Sequence, residues 1–204
     1  MRMDKKVIEF IACVVLLVIL FASCREKGAK NGSAQQSHGA QLKESGYLKY
    51  ADEKDKAKME QELLDSFVIY DPASYKIAHI DAEELCEFSF EFFMPELTAM
   101  LSKRSFTLTA VPAKDYQASN DALINGVKVQ LYTQADMVNE TYWDIGPRMF
   151  FKEVNRQLKD KKIDEAFYLL YGGNDLHVLL LTPKQYAIIA EHYKDNPKEL
   201  PELP

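Results

Sequence analysis

Apolar positions fall into three regimes along this chain. A nearly unbroken apolar run occupies Phe10 to Ala22. Arg25 to about Ser45 has almost nothing to bury. The remainder mixes apolar and polar positions with the periods of helices and strands.

Met59, Leu63, Leu64 and Phe67 recur at helical spacing, predicting a helix over Ala51 to Phe67 with Asp52 as its cap. Asp71-Pro72 closes that region, and Tyr75 to Ile80 reads as a short strand. Asp81, with Glu84 three residues on, has the spacing of a capping box. The helix it starts is the most apolar of the chain and is expected to run to about Lys103. A proline costs about 3 kcal/mol inside a helix, so a kink or break is expected at Pro95. Phe106 to Val111 reads as a strand. A helix is expected over Glu140 to Lys159, with Phe150, Phe151, Val154 and Leu158 on one side and Pro147 in its first turn.

Two hairpins stand out. Asn125-Gly126 separates Leu123-Ile124 from Val127-Lys128-Val129, and both turn positions of such a hairpin need positive φ. Gly172-Gly173-Asn174-Asp175 separates Phe167–Tyr171 from Leu176–Leu181, opposing Leu170 with His177. Strands this apolar on both faces belong inside a sheet covered on each side. Thr182-Pro183 then starts a helix that Asn196-Pro197 stops, and Lys198 to Pro204 is expected to be extended. The whole reads as α+β: a mainly antiparallel sheet with two β-hairpins, packed by about four helices.

Before the first apolar run stand Arg2, Lys5 and Lys6, and after it Leu20-Phe21-Ala22-Ser23-Cys24. A basic start, a short apolar core and small residues before a cleavage point form a secretory signal. The core is shorter than the roughly 20 residues that span a bilayer. Leu20 to Cys24 resembles the lipobox of bacterial lipoproteins, with Phe21 where that pattern prefers Leu. The resemblance covers the amino-terminal stretch alone. It implies a diacylglyceryl group on the Cys24 sulfur, cleavage before Cys24, and a lipid bilayer as partner. Arg25 follows where lipoproteins kept at the inner membrane carry Asp, so an outer-membrane address in the cell envelope is expected. The organisation expected is a signal over 1–23, a lipidated cysteine and disordered tether over 24–45, and one globular domain over 46–204.

The chain holds 25 Lys+Arg against 31 Asp+Glu, a net charge of −6. That balance argues against nucleic acid as a partner. Cys13 lies within the signal, leaving Cys86 as the one thiol of the mature domain, so no internal disulfide is expected. No histidine spacing matches a zinc site, and neither metal nor cofactor is expected. Cys86 reads as a packed small hydrophobe and His177 as a histidine bonded to a nearby carbonyl. Glu84, Glu87 and Glu91 read as one stripe on a helix, a solvated face or a surface for a basic partner. Asn139 to Asp144 reads as a loop joining acids to aromatics, which makes Tyr142, Trp143 and Asp144 the leading partner contacts.

Three functions follow as expectations. The first is a non-catalytic envelope lipoprotein that binds a protein. The second is an immunity protein neutralising a toxin in the periplasm; Phe167 to Thr182 is faintly similar to bacterial immunity-like domains. The third is an enzyme using Cys86 or His177.

Overall fold

Turn chemistry decides where the sheets form. In a computed structural model, which describes residues 36–204, the Asn125-Gly126 and Gly172–Asp175 turns each close a hairpin and each hairpin recruits one further strand. The helices are α1 (His38–Glu44), α2 (Glu53–Ser66), α3 (Ala82–Cys86), α4 (Met94–Ser102), α5 (Tyr116–Ser119), α6 (Gln134–Val138), α7 (Tyr142–Asp160) and α8 (Pro183–His192). The strands are β1 (Ile77–His79), β2 (Ala110–Pro112), β3 (Asp121–Ile124), β4 (Val127–Gln130), β5 (Ala166–Leu170) and β6 (His177–Leu181).

The fold is α+β, with two antiparallel three-stranded sheets of order β1-β6-β5 and β2-β3-β4. The expectation of one sheet holding both hairpins gives way to two separate sheets. Both registers agree with the turns: Ile124 faces Val127, and Leu170 faces His177. Asn125 and Gly126 have φ of 48° and 80°, as a two-residue turn of this kind requires.

The first sheet is the middle layer of the described residues. Its Phe167, Leu169, Val178 and Leu180 join a core with α3, α4, α7 and the second sheet. Its Tyr168, Leu170, Leu179 and Leu181 join another with Leu42 of α1, Met59 and Leu63 of α2, and Ile189 of α8. Successive strand residues point to opposite faces, so an all-apolar strand feeds two cores at once. Burial of a large aliphatic side chain is worth about 1.5–3 kcal/mol, and these strands are the richest source of it.

Several expectations are corrected. The tether does not extend to Ser45. Residues 38–44 form α1, capped by the Ser37 hydroxyl, with Leu42 fully buried. One apolar residue at the right point of a polar segment suffices to dock it. Gly39 makes the docking possible, because a Cβ there would stand 2.1 Å from the Leu63 carbonyl oxygen. The long helix over Ala82 to Lys103 is two helices. The break falls at Phe88, whose φ is 62°, and not at Pro95, which lies in the first turn of α4 where its missing N–H costs nothing. Pro147 is inside α7 and not in its first turn. Of the strand expected over Phe106 to Val111, only Ala110 and Val111 join a ladder, which runs on to Pro112. The carboxyl-terminal segment makes a 3₁₀ turn at Pro197–Glu199 before Glu202 pairs with Leu169 on the edge of β5. The signal over 1–23 and Cys24 lie outside the described residues.

Candidate functional site

The amino-terminal end of α7 carries the residues singled out for partner contact. Tyr142, Trp143 and Asp144 form its first turn and not a loop. Thr133 and Asp136 cap the preceding α6 in a reciprocal box, which sequence reading missed. Tyr142 turns inward and packs its ring against Tyr132. Trp143 stays 42% exposed. It lines a cleft of about 250 Å³ with Glu140, Asp144, Pro147, Arg148, Leu169, Leu176 and the Tyr171–Gly173 turn.

The far side of this cleft comes from the second hairpin. Tyr171, 46% exposed, leaves β5 with φ of 63°. Its hydroxyl donates to Glu199 at 2.6 Å, and the Tyr70 hydroxyl donates to the same oxygen at 2.6 Å. Burial and those bonds to Glu199 raise both phenols above their ordinary range. Arg148 ties α7 to the carboxyl-terminal segment, donating to Asp144 at 3.0 Å and to Glu202 at 3.3 Å. The Asp144 bond and that neighbouring charge raise the Arg148 guanidinium, against some burial.

The other candidates are placed differently. Glu84, Glu87 and Glu91 do not share a helix face, because α3 ends at Cys86. Glu84 stays in α3, Glu87 is its C-cap, and Glu91 lies in a 3₁₀ turn. Partial burial and the nearby Asp81 and Glu91 raise the Glu84 carboxyl.

Cys86 is buried, and its thiol donates to the Tyr142 carbonyl at 3.2 Å. Burial, with Glu87 nearby, pushes this thiol up to about 12, the reverse of what a nucleophile needs. It packs where Gly146 of α7 crosses, and a Cβ at Gly146 would meet its sulfur at 2.6 Å. His177 Nδ1 lies 2.8 Å from the Asp175 carbonyl, and His79, opposite it on β1, lies 2.8 Å from the Asn174 carbonyl. Both histidines therefore pin the turn. Among the described residues, no cluster of three or more His, Cys, Asp or Glu could hold a metal ion.

Two further hollows are less promising. One of about 650 Å³ lies between Ser105–Thr109 and the end of α7, where Asn125 bonds Gln157 and Arg156 is taken by Glu153 and Asp160. The other, about 370 Å³, runs beside β4, where Lys128 pairs with Asp121 and Asp115.

No family model, curated protein or solved structure matches this chain.

A buried ionic network escaped sequence reading altogether. Glu165 accepts from Lys76 Nζ and, at 2.7 Å, from Arg104 Nε. Lys76 also donates to Gln185 at 2.9 Å, and its side chain is only 1% exposed. Burial lowers the Lys76 ammonium to about 8, with Glu165 opposing the shift. Burial raises the Glu165 carboxyl, but the bonds and charge of Arg104 and Lys76 outweigh that and hold it below its usual range. Its bonded partners are 61 to 109 residues apart in sequence, so no local spacing could have announced it. No buried side-chain nitrogen or oxygen among the described residues lacks a partner, and none of the three clefts described above is lined by a member of the network. It is a structural clamp.

Proposed function

We propose that this chain is a lipid-anchored protein of the bacterial cell envelope, fastened through Cys24 to the outer membrane, whose folded domain binds another protein without chemistry of its own. The anchor rests on the lipobox-like Leu20 to Cys24 and the basic, then apolar, segment before it. The membrane contact is assigned to lipid, since two acyl chains hold a protein firmly. No helix among the described residues is long and apolar enough to cross a membrane.

The observation that carries the binding role is the joint exposure of Trp143 and Tyr171 on the walls of one cleft. Tyrosine and tryptophan are enriched at interfaces, where they supply large contact area around a polar handle. The thiol and histidine that could have served an enzyme are engaged in packing and turn bonding.

Two measurements on the full-length protein in its native cells test this reading. Labelled palmitate should enter the wild type and not Cys24→Ala; equal incorporation would overturn the anchor. A photocrosslinking side chain at Gly172, which lines the cleft with open space before it, should give one discrete adduct that the same group at Lys58, on α2 across the first sheet from α7, does not. The absence of that adduct, or the same adduct from both positions, would overturn the binding role.

A further inference from the structure

We infer that the cleft at the head of α7 receives a lysine or arginine side chain of the protein partner, which deepens, and rests on, the partner-binding reading above. Its size sets the first limit. Small-molecule sites run from about 300 to 1,000 Å³. At about 250 Å³ this cleft lies below that range and has room for one long side chain.

Its walls set the second. Trp143 and Tyr171 are both exposed there, and aromatic faces, tryptophan above all, attract ammonium and guanidinium groups. The Tyr171 ring is held in place by its bond to Glu199.

Charge sets the third. Glu140, Asp144 and Glu202 stand at or beside the cleft, against the single cation Arg148. Arg148 is spent on Asp144 and Glu202. Glu140 has no ion pair among the described residues. A helix amino terminus ordinarily favours an anion. Here the first turn carries Asp144, with Glu140 just before it, so an incoming carboxylate or phosphate meets like charge.

Trp143 is the only tryptophan of the chain, so its fluorescence reports on the site directly. Full-length protein in neutral detergent should be titrated with an acetylated octapeptide of alternating glycine and arginine. A saturable change in emission is expected, weakening with salt. Glu140→Gln should weaken binding about fivefold, and Tyr171→Leu by a similar factor, with urea midpoints unchanged for the exposed Glu140. No saturable change, an unchanged affinity in Glu140→Gln, or an equal response to the glycine–glutamate octapeptide would overturn the inference. The crosslink from position 172 separates the two levels. If it survives in Glu140→Gln at full strength, the cation is wrong and the partner stands; if the otherwise wild-type protein gives none, both fall.

Discussion

Cys86 illustrates how one residue's surroundings decide its chemistry. Its neighbours in sequence made it a candidate nucleophile or a small packed hydrophobe, and the tertiary contacts choose the second. The thiol is buried, donates to a carbonyl, and has its ionisation pushed up to about 12. Iodoacetamide at pH 8 should therefore leave Cys86 unmodified in the native protein and alkylate it only in denaturant. Mass spectrometry of the two samples measures this, and rapid native alkylation would contradict it. Gly146 is the complementary residue. Gly146→Ala pushes a methyl into the Cys86 sulfur, and overpacking of this kind costs about 1–3 kcal/mol in urea unfolding.

At the scale of elements, local signals fared well where the turn or cap was itself local. The Asn125-Gly126 hairpin, the Asp81 cap of α3 and the Thr182-Pro183 start of α8 all follow from residues within four positions of each other. Failures came where a partner far along the chain intervened. Residues 38–44 look like tether, since only Leu42 is a large apolar residue, yet Gly39 lets α1 lie against α2. Gly39→Ala should lower stability by about 1–3 kcal/mol, seen as a shifted urea midpoint. A disordered tether would show no change. Asn125 has a second role that its turn signature hides. Its side chain accepts from the Thr109 amide at 2.7 Å and donates to Gln157 at 2.8 Å, joining the hairpin to the chain before β2 and to α7. Asn125→Gly keeps the turn but removes those bonds, and should cost about 1–3 kcal/mol in the same assay.

At the largest scale, residues 36–204 form two cores on either side of one sheet, and the Glu165 network clamps elements from both. Arg104 follows α4 on one side and Gln185 belongs to α8 on the other, with Lys76 beside β1 between them. Breaking a buried pair by removing one member costs about 3–5 kcal/mol, so Glu165→Gln should be strongly destabilised at pH 7. Against the effect of burial, Arg104 and Lys76 hold the Glu165 carboxyl below its ordinary value of 4.5 in the folded protein. The unfolded chain therefore binds more protons in that range. The stabilisation is present in full above about pH 4.5 and disappears as pH falls through the folded value. Urea midpoints measured from pH 7 downward should fall below pH 4.5 in the wild type, and Glu165→Gln should lack that part of the slope.

The sequence by itself determined the period of most segments, several of the turns and caps that bound them, the α+β class, and the cluster of acids and aromatics at the head of α7. These depend on contacts within one turn of helix or one hairpin, which a string of residues displays directly. Tertiary structure alone decided that the hairpins go to separate sheets, that a polar segment docks through Gly39, that Tyr171 joins Trp143 in one cleft, and that Lys76, Arg104, Glu165 and Gln185 meet. Each of these needs residues brought together from distant parts of the chain. Such meetings are set by how the cores pack, and packing depends on shape in three dimensions, which no local pattern encodes.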